Sequence, residues 1–247
     1  MALLSCLIAA AVGSGSLRAG LVDELTDLFP DSTAEQVGVD VFRIPSARGT
    51  IAGVHIIVNG LEKDQPLSLS GGPRGSRWHR LIDVPVEVNT GIDSRTEKLD
   101  GKTNPHVIRR APMRVYDALQ PVKRGIKADA ETMAFRFEVP IEAGAKLGQR
   151  SWELTIGQGE SKAKLTFGVE VMKPVVPKLG IKSLGFTNWW SVGNVASYHK
   201  VEKWSEGYWK LLEKYADLMA RSRQNMILVP WSEFTVKEGE GWKINRE

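Results

Sequence analysis

Six of the eight tryptophans in this 247-residue chain gather near its end: Trp189, Trp190, Trp204, Trp209, Trp231 and Trp242. Asn188, His199 and Glu233 stand among them, three side chains that can hydrogen-bond hydroxyl groups. An indole offers a flat apolar face with a polar edge. Such faces can stack on an apolar face of a ligand, so Asn188, Trp189, Trp190, His199, Trp231 and Glu233 form a candidate ligand-binding set. Each has a plainer reading. Trp is usually well buried, so one of the adjacent pair would support a core wall. Glu233 lies alone in a polar segment, as a solvated residue would, and His199, in the loop stretch SYHKVEKWS, could cap nearby backbone. Trp204 and Trp209 flank a helix start, where core packing explains them best.

Other chemistries find no residues to carry them. His55 alternates within a strand pattern, His79 and His106 sit in loop-like stretches, and none of the four histidines pairs with Cys, His or a carboxylate at metal-ligand spacing. There is no glycine-rich phosphate loop and no GxSxG elbow, so no metal and no cofactor is expected. The net charge of +4 comes from 33 cations well mixed with 29 anions. The densest cationic pieces, Arg74–Arg80 and Arg109–Arg110, are short, which argues against nucleic acid as a partner.

The elements that must position the late aromatic set can be read from periodicity. IKSLGF (181–186) is of strand length and largely apolar. A polar loop comes next, and then Tyr208, Leu211, Leu212, Tyr215, Leu218 and Met219 recur at helical spacing. Ser205 is placed to cap that helix with Glu206 in its first turn, and Asn225 is placed for a left-handed C-terminal position. MILV (226–229) is a fully apolar strand-length run. Strand, helix and buried strand make a βαβ unit with parallel strands. One such unit cannot cover both faces of a parallel sheet, so the reading expects a fragment cut soon after a second domain begins.

Ahead of it, alternation has period two. Met133, Phe135, Phe137 and Val139 share one face, with Ala134, Arg136 and Glu138 expected on a wet face. Ala163, Leu165, Phe167, Val169 and Val171 repeat the device, Trp152, Leu154 and Ile156 lie between, and GQGES (157–161) supplies a hairpin turn. IAGVHIIVN (51–59) is continuously apolar, as a central strand would be, and Val84, Val86 and Val88 alternate in DVPVEVN. Asn89–Gln120 reads as a loop-rich excursion with a strand near Met113–Tyr116. These patterns predict an antiparallel β-sandwich over 21–175. VMKPVVPKLG then reads as a stiff linker, which places the linker and an incomplete second domain at 176–247.

Residues 1–20 contain an apolar core followed by small residues, the pattern of a secretory signal, though without a cationic start. With Cys6 as the sole cysteine there is no internal disulfide. A secreted or periplasmic protein is expected, with lipid anchoring at Cys6 as a variant, and no later stretch reads as a membrane span.

These pieces together resemble the N-terminal part of glycoside hydrolase family 123 and related uncharacterised bacterial proteins, which set a β-sandwich before a (β/α)8 barrel. The matching pieces are IPSARGTIAGVHIIVNGL (44–61), APMRVYDALQP (111–121), and GFTNWW through MILVPWSEF (185–234). The resemblance implies that GFTNWW is the first barrel strand running into its loop. Asn188, Trp189 and Trp190 would then lie after the first strand, and Trp231 and Glu233 after the second, at the end where barrels carry their chemistry. It implies removal of N-acetylhexosamine residues, notably β-linked N-acetylgalactosamine, with the acetamido oxygen attacking the anomeric carbon while an Asp–Glu pair assists. That pair sits on a later barrel strand in the family, so catalytic residues are expected beyond Glu247. The adjacent Asp23–Glu24 lies ahead of the sandwich and is given no catalytic role. The alternative is a non-catalytic sandwich that binds carbohydrate or protein; with only Trp78 and the inward-facing Trp152, the sandwich has no aromatic platform.

Overall fold

A computed structural model of the chain describes residues 16–88, 107–122, 125–180, 183–187, 191–226 and 235–244. The chain divides into two compact units, Met1–Val176 and Pro177–Glu247.

The first unit is mainly β. One sheet has the strand order β1-β3-β7-β5-β6, formed by Arg18–Val22, Thr50–Asn59, Met133–Ile141, Arg77–Val86 and Met113–Pro121. Every pairing in it is antiparallel. The second sheet has the order β2-β9-β8-β4, formed by Val41–Arg48, Ser161–Val175, Gly148–Gln158 and Ser68–Gly71. Here β8 pairs antiparallel with both neighbours, but β2 runs parallel to β9, from Val41↔Thr166 onward. The alternating pattern in β2 could not reveal that direction, because period two is common to both kinds of ladder. Strand β3 lies inside its sheet and is buried along most of its length, as its unbroken apolar run anticipates.

The two sheets enclose one core. Val54, Ile56, Phe135 and Phe137 from one and Leu154, Ile156, Phe167 and Val169 from the other are fully buried together. An aromatic chain crosses between them: Trp78 lies 4.8 Å from Phe137, Phe137 meets Phe167 edge-on at 6.1 Å, and Phe167 meets Trp152 at 6.4 Å. The β8–β9 hairpin turns through Gly159 and Glu160, with Gly159 at φ 57, a conformation glycine adopts without steric cost.

The outward face of β7 is not wet. Ala134 and Glu138 are buried, because residues 23–37 fold over that face. Leu28 and Ala34 pack there on Ile57, Leu81 and Ala134. Arg136, also expected outside, bonds both Glu24 and Glu138. Gly53 makes that arrangement possible: a Cβ there would sit 2.3 Å from Glu24 Oε1 and 2.6 Å from Arg136 Nη2. Helix α1 (Ala34–Val37) is tied down by Asn59, whose Oδ1 accepts from Ala34 N at 2.7 Å while its Nδ2 donates to Ser32 O and Thr132 Oγ1. Arg109 stacks 3.8 Å from the Phe29 ring centroid and pairs with Asp31 at 2.8 Å, and its hydrogen bond holds the Asp31 carboxyl below the ordinary range. Strand β1 begins before position 21: Arg18, Ala19 and Gly20 pair with Asn59, Val58 and Ile57.

The second unit contains two helices and a hairpin among its described residues. Helix α2 spans Val192–His199, where the sequence suggested a loop. It begins at Ser191, whose Oγ accepts from Asn194 N at 3.3 Å, and it buries Val195 and Ala196. Helix α3, Glu206–Arg221, agrees with the sequence pattern: Ser205 Oγ accepts from Tyr208 N at 3.2 Å, Glu206 sits in the first turn and Arg221 in the last. Tyr208 is fully buried against Val195 and Ala196, with Leu211, Leu212 and Tyr215 packed around them. The left-handed position after α3 falls to Arg223 at φ 65, not to Asn225. Strands β10 (Thr235–Glu238) and β11 (Gly241–Ile244) form an antiparallel hairpin. Of the expected strand at 181–186, residues 183–186 have no strand conformation, and 181–182 lie outside the described residues. Met226 is likewise irregular, and Ile227–Val229 lie outside. Among the described residues, no helix is long and apolar enough to cross a membrane.

Candidate functional site

Five of the six candidate residues, Asn188, Trp189, Trp190, Trp231 and Glu233, lie outside the described residues. What the structure does give is the pair of stems that lead to them. Phe186 O accepts from both Asn225 N at 3.0 Å and Met226 N at 3.3 Å, and Phe186 N donates to Asn225 Oδ1 at 2.9 Å. Asn225 Nδ2 reaches back to Ser183 Oγ at 2.9 Å and Gly180 O at 3.2 Å. The chain two residues before Asn188 is thus bonded to the chain five residues before Trp231. Asn225 is the fastener: its side chain spends its donors and its acceptor on this junction. Gly185 allows the approach, since a Cβ there would lie 2.8 Å from Met226 Sδ.

His199 is described, and it is the last residue of α2, not part of a loop. Its side chain does not cap backbone. The next residue, Lys200, does that work, turning left-handed at φ 53 and sending its N–H to the carbonyls of Ala196 and Ser197. The imidazole Nε2 instead lies 3.0 Å from Tyr215 Oη on α3. Its ring meets those of Tyr198, at 5.1 Å and 85°, and Tyr215, at 5.8 Å and 76°. Sequence reasoning placed Tyr215 only on the apolar face of a helix. Nothing in the spacing of residues 199 and 215 marks them as partners, because the contact joins two helices.

Trp204 packs against the core of the second unit, whereas Trp209 is half exposed. Trp204 precedes the N-cap Ser205 and Trp209 is the fourth helical residue, and their rings meet at 5.4 Å, a hydrophobic staple across the helix start. Tyr208 adds an edge contact to each. Trp242 is half exposed on β11 opposite Lys237. Among the described residues, no group of three or more His, Cys, Asp or Glu side chains is arranged to hold a metal ion.

Residues 189–244 match the sequence model of the glycoside hydrolase 123 catalytic domain. The match covers every candidate residue except Asn188, together with α2, α3 and the hairpin. Among solved structures, the chain is similar in fold to a family 123 glycoside hydrolase from Clostridium perfringens, studied for glycolipid glycan hydrolysis, with TM-score 0.65 and 13% identity. That alignment covers 85% of this chain and 37% of the clostridial one. The chain therefore spans a little over a third of that enzyme's length. The VesB protease of Vibrio cholerae aligns at TM-score 0.23 and 10% identity, over 53% of this chain and 30% of its own. The CooA pilin subunit of enterotoxigenic Escherichia coli aligns at 0.27 and 7%, over 64% of this chain and 99% of its own. Both scores are too low to carry an argument. No curated protein matches the chain.

Proposed function

We propose that this chain is the front part of an exported glycoside hydrolase that acts on glycans containing N-acetylhexosamine. The observation that carries the reading is the catalytic-domain match at 189–244, and the clostridial likeness in fold supports it. In this reading the chain around 181–190 and 226–234 opens a (β/α)8 barrel, and Asn188, Trp189, Trp190, Trp231 and Glu233 belong to the end at which such barrels carry their chemistry. Tryptophan faces and Asn, His and Glu side chains then bind the sugar, as the residue types suit. Bond cleavage is substrate-assisted: the acetamido oxygen closes on the anomeric carbon, a Glu protonates the leaving oxygen and an Asp steadies the cyclic intermediate. That acidic pair belongs to the part of the barrel that lies outside these 247 residues, and export rests on the apolar stretch at 1–20.

The test compares this chain with the longer product of its gene on 4-nitrophenyl N-acetyl-β-galactosaminide. The 247-residue chain is expected to release no nitrophenol, and the longer product to release it. Turnover by the 247-residue chain that disappears on changing one of its own residues would overturn the placement of the acidic pair. An inactive longer product, tested also on the β-glucosaminide, would overturn the hydrolase reading.

A further inference from the structure

Tyr198 is 81% exposed, although it lies next to a tightly organised cluster. Its ring stands edge-on to His199, and His199 in turn is edge-on to Tyr215 and hydrogen-bonded to its hydroxyl. Tyr215 is itself half-buried on the core side of α3, beside Tyr208. The series runs from the half-buried Tyr215 through the bonded imidazole to the exposed Tyr198. A tyrosine ring has only two side-chain torsions, so a ligand that stacks on it exacts little conformational entropy. The imidazole spends Nε2 on Tyr215, and Nδ1 makes no hydrogen bond among the described residues. An exposed aromatic face with an oriented hydrogen-bonding nitrogen beside it is the arrangement that a pyranose ring requires, apolar C–H groups on the tyrosine and a hydroxyl on the imidazole.

We infer that Tyr198 and His199 form a saccharide-binding ledge, with Tyr215 as the positioning residue that fixes the His199 ring. The inference rests on the glycoside hydrolase reading for the class of ligand and on the cluster geometry for the place. It adds Tyr198, the most exposed ring of the set, as the residue that contacts sugar, and it gives His199 a role that depends on a neighbour from the next helix.

The experiment uses the 247-residue chain and the methyl β-glycoside of N-acetylgalactosamine, titrated into the millimolar range. Proton–carbon correlation spectra resolve the rings of the four histidines, and His199→Asn identifies the signal of interest. The expected result is a saturable shift of the His199 ring signal while those of His55, His79 and His106 stay in place. Tyr198→Ala should weaken that binding roughly tenfold, the size of one aromatic stacking contact. Tyr215→Phe should change the tautomer signature of His199 before any sugar is added, a readout that loss of packing alone would not produce. The inference is overturned if the His199 signal does not move, whether indole signals respond or no binding is seen, or if Tyr198→Ala binds as the parent does. Hydrolysis by the longer gene product with an unmoved His199 would remove the ledge and leave the enzyme reading standing. A responsive His199 in a protein whose longer form hydrolyses nothing would do the reverse.

Discussion

His55 shows how one residue's surroundings set its response to pH. It lies on β3 opposite Arg136, with Glu24 and Asp23 close by. Burial pushes its pKa below the ordinary 6.5, and the Arg136 charge pushes the same way, while Glu24 and Asp23 oppose it. The folded state therefore binds fewer protons than the unfolded state at mildly acidic pH. Stability from this group is whole above about pH 6.5 and falls as pH drops through that value towards the folded pKa. Unfolding midpoints in urea between about pH 7.5 and 5 should decline more steeply in the parent than in His55→Gln. Equal slopes would show that His55 does not carry this dependence. Gly53 offers a second probe of the same region. Gly53→Ala drives a methyl group into the ends of the Glu24 and Arg136 side chains, which must swing aside and loosen their ion pair, at a cost of about 1 kcal/mol or less. In a Glu24→Ala background the cost should be smaller, because one of the two clashes has gone, and a double-mutant cycle measures the difference.

At the scale of elements, what the sequence revealed depended on whether the partner lay within the same stretch. Helix α3 was legible because its cap, its first-turn acid and its apolar spacing are all local. Ser205→Ala should accordingly cost about 1 kcal/mol of local stability, read as faster amide exchange at Tyr208 and its neighbours. Amide protection in α3 equal to that of the parent would show that the Ser205 bond adds nothing. Strands β3, β7 and β9 were legible for the same reason of local period. The sequence was less informative where a distant segment decides. Arg136 and Glu138 alternate as surface residues do, yet Glu24, 112 positions before Arg136, arrives to pair with the guanidinium and covers them. Helix α2, VGNVASYH, contains Gly, Asn and two valines, a weak helical composition that is stabilised here by a cap at Ser191 and by burial of Val195 and Ala196 under Tyr208. The candidate site divides the same way. The clustered tryptophans single out a stretch of sequence as the candidate site, while the Tyr215–His199 bond and the Asn225 junction are contacts between elements and left no local trace.

At the scale of the whole molecule, the first unit is complete in the sense that matters for folding. The core between its sheets and the smaller core beneath residues 23–37 are both made of side chains from the first unit alone. Among the described residues, β7, the most central strand of its sheet, is covered on both faces by side chains of the first unit. Residues 16–176 produced alone should therefore unfold in one cooperative thermal transition, with calorimetric and van't Hoff enthalpies equal. At about 0.7 kcal/mol per residue near 60 °C, that enthalpy should be on the order of 110 kcal/mol. Phe137 is the point at which to probe it, because its ring joins Trp78 on its own sheet to Phe167 on the other. Phe137→Ala should remove about 3–5 kcal/mol, the cost of losing a large ring from a packed interior. A broad, non-cooperative transition in the isolated unit would mean that its cores do not suffice, and that the front of the chain depends on the residues after Val176 for its fold as well as for any chemistry.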